Sequence, residues 1–310
     1  MMEKKYELVN YNEKTGLWQI RALRSFNDVK AGDLGGWIEK EFNLSHIGDC
    51  WVYDNARVFD NAEVYGNARV YGCYARVCGN AKVFDDATVF DDARVYGDAT
   101  VCGDAMIFNN AKVYGDAKVS GNAKVYGDAR VFENAEVYGD AEVYNNARVF
   151  ENAEVFGKAR VYGNAKVYGN VMIYGDAKVG EHNYVQHSKL DCDITDGKNK
   201  IQSIQCQTNL PIINKEVYCC KVVRDDLTSL HDSDFQYKIG EWVSVAHYDN
   251  DPTVSCGRGL HFSHLTYWEN RGSSKVLYCK IPLKDVIAVQ EGKIRAKRAF
   301  VIGVCDNKVY

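Results

Sequence analysis

Proline is scarce: three occur in 310 residues, at Pro211, Pro252 and Pro282. None precedes residue 211, so the first two thirds of the chain can run as a hydrogen-bonded ladder of the kind proline interrupts. A long apolar run is also missing, as is a charged-then-apolar amino terminus. Neither a membrane-spanning helix nor a signal peptide is expected, which predicts a cytoplasmic protein with no membrane partner. Strong net charge is missing too, since the formal value is -4. Any preference for nucleic acid must come from a local surface. No Cys-x-x-Cys pair exists among the 11 cysteines, so scattered reduced thiols are expected rather than a disulfide framework.

What is present is a repeat. From Ala56 to Val179 the chain reads Ala-x-Val-aromatic-Gly-Asp/Asn in units of six. The aliphatic position recurs at Val58, Val64 and Val70, and then in steps of six from Val77 to Val179. Of these 21 positions 20 have Ala two residues earlier, the exception being Val171 before Ile173. Residues i and i+2 of an extended chain share a face, so Ala and Val point inward together. Their neighbours are mostly Arg, Lys, Glu, Tyr and Phe, which must face out. Gly-Asp, Gly-Asn, Asp-Asp, Glu-Asn and Asn-Asn then supply a corner. A strand and a corner every six residues describe a solenoid, and a Val/Ala interior is narrow enough for three strands per coil. The one break, Val70 to Val77 around Gly72, Cys73 and Tyr74, predicts a bulged corner.

Four regions follow: a cap over 1–50, the repeat over 51–185, an exit and linker over 186–210, and a second domain over 211–310. In the cap, Tyr6 to Tyr11 and Leu17 to Leu23 read as a hairpin, with Trp37 or Phe42 as lids over the open end. In the last region, segments around 216–223, 235–246, 275–281, 286–289 and 299–304 read as strands. These make a small α+β domain.

The hexad pattern resembles the left-handed parallel β-helix of hexapeptide-repeat proteins. The opening Asn27-Asp-Val-Lys-Ala-Gly-Asp-Leu-Gly-Gly-Trp37 and the later Leu44-Ser-His-Ile-Gly-Asp-Cys-Trp-Val52 resemble those of YdcK-like bacterial and phage proteins. Trimeric self-association is common among such β-helices. Many are acyltransferases, whose catalytic histidine sits on the coils beside an excursion loop. Here all seven histidines lie outside Asn55 to Val179 and no loop interrupts the shaft, so that activity is not expected. Ice binding, which needs ranks of threonine, is excluded by a shaft holding only Thr88 and Thr100.

With three hexads per coil, residues 18 apart stack. One face then carries Arg57, Arg76, Arg94, Lys112, Arg130, Arg148 and Lys166, a basic stripe beside Tyr96, Tyr114, Phe132, Phe150 and Tyr168. Three readings stand: binding of a polyanion such as nucleic acid, with bases stacked on the rings; neutralisation by turn acids such as Asp98, Asp116, Glu133 and Glu151 while arginines lie over the rings; or self-association through the aromatic face.

The tail phrases Cys256-Gly-Arg-Gly-Leu-His-Phe262, Val276-Leu-Tyr-Cys-Lys-Ile-Pro-Leu-Lys-Asp-Val286 and Lys293-Ile-Arg-Ala-Lys-Arg298 resemble the phage rapid-lysis B domain. Gly257-Arg-Gly-Leu-His-Phe262 is also similar to the nicotinamide pocket of ADP-ribosyltransferases. That similarity implies a nucleotide pocket from Arg224, Gly257, Gly259 and His261, in which neither Glu269, on the wrong element, nor Glu291 matches the family's catalytic glutamate. Zinc at Cys256, His261, His264 and Cys279 has poor spacing, and Lys293, Arg295, Lys297 and Arg298 read as a solvated strand edge. No metal or cofactor is expected. The expected function is a non-enzymatic phage or prophage accessory scaffold, multimeric, presenting the terminal domain to a protein partner. A nucleotide or NAD domain and a nucleic-acid-binding stripe are the alternatives.

Overall fold

The computed structural model describes residues 3–254, 256–268 and 274–305. The chain forms two compact units, Met1–Ala177 and Lys178–Tyr310. The first is a parallel β-solenoid with an N-terminal cap, and the second contains an antiparallel sheet.

In the solenoid each hexad contributes a two-residue strand, such as Arg94–Val95 and Lys112–Val113. Strands 18 residues apart pair in parallel, Arg94 against Lys112 and Lys112 against Arg130. Ala and Val of every hexad are fully buried, so the interior is a stack of valines spaced by alanines. Each corner carries its left-handed residue directly after the aromatic, at φ of 74° for Gly97, 71° for Gly115 and 58° for Glu133. Only residues that tolerate or accept that conformation fit there, which is why Gly, Asp and Asn dominate the position. Side-chain amides then link corners between coils, as Asn80 donates to Asp98 (2.8 Å) and Asn134 to Asn152 (3.0 Å). The bulge at Gly72 to Tyr74 leaves the winding intact, since Arg76 still pairs with Arg57 and with Arg94.

The direction of the ladder determines what the cap must do. Each strand N–H donates to a carbonyl of the following coil, for example Arg94 N to Ala111 O (2.9 Å). The first coil therefore presents carbonyls with no earlier coil to serve them. Strand Leu34–Ile38 pairs in parallel with Arg57–Val58, and Trp37 N reaches Ala56 O (2.9 Å). The buried Asn43 amide donates to Asp60 O (3.1 Å) and Ala62 O (2.9 Å). Lys5, also buried, donates to Gly48 O (3.2 Å) and Cys50 O (2.8 Å). Burial lowers the Lys5 pKa, opposed by the neighbouring Cys50. Gly35 and Gly36 allow the approach, because a Cβ on either would lie 2.6–2.7 Å from Val52 O or Ala56 O.

The expected lids are corrected. Phe42 is 58% exposed and Trp37 half-buried, whereas Trp51 (1%), Tyr6 and Phe26 fill the cap interior. Trp51 meets Phe26 at 5.3 Å and Tyr6 at 6.1 Å, edge to face. The expected hairpin is present as Tyr6–Asn12 and Leu17–Ala22.

In the second unit three two-residue strands, Lys178–Val179, Tyr184–Val185 and Lys189–Leu190, precede the helix Lys200–Thr208. The segment 186–210, read from the sequence as an exit and linker, thus holds a helix with Ile204 and Cys206 buried. Its Gln207 amide donates to Val289 O (3.1 Å). The main sheet runs Trp242–Ser244, Arg298–Cys305, Lys275–Pro282, Glu216–Val223, Leu260–Ser263, Lys293–Ala296, Val286–Gln290. Of the expected strand over 235–246 only Trp242–Ser244 is regular. Glu216–Val223 pairs with Lys275–Pro282 along eight residues, but with Leu260–Ser263 only through Cys220 and Ser263. The sheet is therefore splayed between those two strands.

Candidate functional site: a cationic cavity in the second unit

The splay opens a cavity of about 490 Å³, within the size range of small-molecule sites. One wall is Lys221 and Val222, the other Gly257 to His261, with Lys293 on the neighbouring strand. Phe235, Tyr237, Val245 and Tyr267 give it an aromatic and aliphatic lining. His231 and Asp232 enter from the loop after Glu216–Val223.

The electrostatics are positive. His261 has its pKa pushed down to about 4, first by burial and then by Lys221, Lys293, Arg295 and His231. At neutral pH its imidazole is neutral, able to donate from one nitrogen and accept at the other. Burial works against the charge of Lys293, yet Tyr267, Cys256 and Glu291 leave its pKa raised. Its ammonium lies 3.4 Å from Cys256 Sγ and 3.5 Å from Glu291. Lys221 is buried as well.

Arg295 organises the glycine loop. Read from the sequence as part of a solvated edge, it is instead 3% exposed beneath that loop, on an interior strand of the sheet. Its guanidinium donates to Val254 O (3.0 Å) and Asp251 O, while Nε has no partner among the described residues. A Cβ at Gly259 would stand 2.8 Å from Arg295 Cγ, and one at Gly257 would fall on the guanidinium. The Gly-x-Gly pattern is thus set by the arginine under it, while the same backbone lines the cavity.

Of the four expected pocket residues, Gly257, Gly259 and His261 come together and Arg224 does not. The Arg224 guanidinium turns to the loop that follows it, donating to Ser229 O, Leu230 O (2.9 Å) and Thr228 Oγ1 (3.4 Å). It positions Ser229 to Asp232 at the cavity wall and contributes no charge inside. Glu269 lies outside the described residues, and Cys279 is in the apolar core behind the sheet. Lys293, read from the sequence as part of the same solvated edge, instead lines the cavity, and Lys221, Tyr237 and Tyr267 were not picked out by sequence reasoning. Their one available signal is a lysine at position 221 inside the otherwise apolar run Val217 to Val223.

On the solenoid the stripe from Arg57 to Lys166 is in register, each cation paired with the next on adjacent strands. The adjacent rings from Tyr96 to Tyr168 stack on one another at 4.8–5.0 Å and nearly parallel. Among the described residues no helix is long and apolar enough to cross a membrane.

Comparison with known proteins gives two partial matches. Residues 195–270 match a family of unknown function, DUF5758, which takes in the cavity from its first wall to His261. A stretch of 38 residues is 55% identical to the uncharacterized acetyltransferase YdcK of Escherichia coli (strain K12). That match covers 12% of this chain, and the chain spans about 12% of that relative's length. The short identity and the regular hexads agree on a hexapeptide-repeat solenoid.

Proposed function

We propose that this chain is a non-catalytic accessory protein whose solenoid is a rigid scaffold and whose second unit binds a small anion carrying an aromatic ring, of the nucleotide class. The cavity of about 490 Å³ carries this reading, since it combines aromatic walls with Lys221, Lys293 and a neutral His261. A phosphate suits the two ammonium groups, and charge-assisted hydrogen bonds are the strong ones. A base suits Phe235 and Tyr267, and sugar hydroxyls suit Asp232 and Ser229. The acetyl transfer in the name of YdcK finds less support, because the shaft has no histidine between residues 55 and 179. Multimerisation as a trimer, a protein partner, a cytoplasmic site and a phage or prophage origin belong to the same proposal, the last resting on the rapid-lysis B resemblance.

The test is a thermal-shift series on the full chain with nucleoside phosphates, the parent nucleosides and inorganic phosphate. Stabilisation of about 2.7 kcal/mol is expected for a nucleoside phosphate at a hundredfold excess over Kd, with weaker shifts from either half alone. No shift with any of them at millimolar concentration rejects the pocket reading.

A further inference from the structure

We infer that the basic face of the solenoid binds single-stranded nucleic acid through its phosphates, without reading its bases. The argument starts from a comparison the fold itself provides. The residue before each inward valine occupies the same position on all three faces, so the faces differ only in sequence. On the other two faces cations and carboxylates are interspersed at this position, and three of the cations meet a carboxylate of a neighbouring coil, Lys82 with Glu63 (3.5 Å), Lys118 with Glu136 (2.9 Å) and Arg160 with Glu142 (3.8 Å), while Arg69 and Lys124 stand singly with no ion pair among the described residues. On the basic face every such residue from Arg57 to Lys166 is a cation, and none of the six from Arg57 to Arg148 makes an ion pair among the described residues. The turn acids expected to neutralise the stripe do not reach it.

Like charges directly opposite across adjacent strands oppose folding. Here they recur at every inter-strand step of about 4.8 Å, giving a straight row roughly 29 Å long. A linear polyanion relieves the repulsion along the whole row. Five of the seven cations are arginines, whose forked donors match phosphate oxygens in pairs. A single strand is flexible enough to follow a straight row, whereas each strand of a duplex winds away from it within a few base pairs.

The neighbouring rings determine the mode. Tyr96, Tyr114, Phe132, Phe150 and Tyr168 cover one another's faces at 4.8–5.0 Å, leaving no gap for a base between them. The base stacking expected from the sequence is therefore not available along this row, and contact falls on the backbone. Binding should be strongly salt-dependent and nearly indifferent to sequence.

The experiment is fluorescence anisotropy of labelled 20-nucleotide oligo(dT) and a mixed-sequence strand with the full chain at several salt concentrations. With about four phosphates neutralised, log K should fall with log salt at a slope near -3, and the two strands should agree within threefold. Arg94→Glu with Arg130→Glu should weaken binding at least tenfold, while Lys118→Glu with Lys124→Glu on the other faces should change it less than twofold. Arg94→Gln with Arg130→Gln, with its melting curve compared to the parent, separates charge loss from misfolding and should also weaken binding. No binding at 50 mM salt, equal loss from the control pair, tighter binding of a 20-base-pair duplex, or displacement by polyglutamate at equal charge overturns the inference.

Discussion

Val131→Ala tests how the solenoid is held. Val131 is fully buried, stacked between Val113 and Val149 on strands that pair on either side of it. Removing two methyl groups forfeits about 1.6 kcal/mol of transfer free energy. Collapse around the gap is restrained, because Tyr114 N bonds Val131 O (3.0 Å) and Phe132 N bonds Val149 O (3.0 Å), fixing the coil spacing. A cavity contribution of about 1 kcal/mol brings the loss to roughly 2.5 kcal/mol. In a repeat array such a loss acts on one coil and its neighbours rather than on the whole molecule. Native-state hydrogen exchange resolves this by amide. Exchange at Lys112, Tyr114, Arg130 and Phe132 should accelerate roughly 60-fold, while Trp37 in the cap changes less than twofold. A uniform acceleration, or a local one under threefold, refutes the nearest-neighbour account of the shaft.

The cap makes a second prediction: Asn43→Leu strands the carbonyls of Asp60 and Ala62 and should cost about 2–3 kcal/mol in a urea melt, and a loss below about 0.5 kcal/mol contradicts the donor role. At the corners, Gly115 has φ of 71° and a Cβ there would stand 2.8 Å from Glu133 N, so Gly115→Asn should lower Tm by a few degrees and Gly115→Val, whose branched side chain also resists the left-handed backbone, by clearly more, a ranking that equal effects would contradict. For His261 the folded pKa near 4 lies below the ordinary 6.5, so the unfolded chain binds the proton more tightly. Stability from the neutral imidazole is complete above about pH 6.5 and falls as pH drops toward 4, on the order of 3 kcal/mol in all. Urea midpoints from pH 7.5 to 4.5 should show that loss in the parent and much less of it in His261→Gln.

The solenoid was legible because one local requirement is imposed 21 times, and the chain states it with Val or Ile each time, with Ala two residues earlier in 20 of them, and with a corner. The basic row followed from an 18-residue spacing that pairing of Arg94 with Lys112 bears out. The lid residues were misassigned for a local reason: Trp51 sits in the repeat register yet points under the cap, while Phe42 flanks it in sequence and faces solvent. The cavity was half visible. Gly257, Gly259 and His261 are contiguous and carry a recognisable rhythm, but Lys221 and Lys293 join them across a sheet whose order no local pattern reveals. Arg295 shows why alternation misleads: a charged residue between Ile294 and Ala296 looks solvated until a glycine loop is laid over it. Arg224 follows a strand and looks like a ligand-binding cation, yet three acceptors of its own loop hold it.

The most direct measurement is calorimetric titration of the full chain with a nucleoside monophosphate, the parent nucleoside and inorganic phosphate, repeated on Lys293→Gln. The account predicts one site per chain, tightest for the monophosphate, and at least tenfold weaker in the variant with its melting temperature preserved. Heat of dilution alone for all three ligands, or unchanged affinity in Lys293→Gln, contradicts the cavity as the functional site.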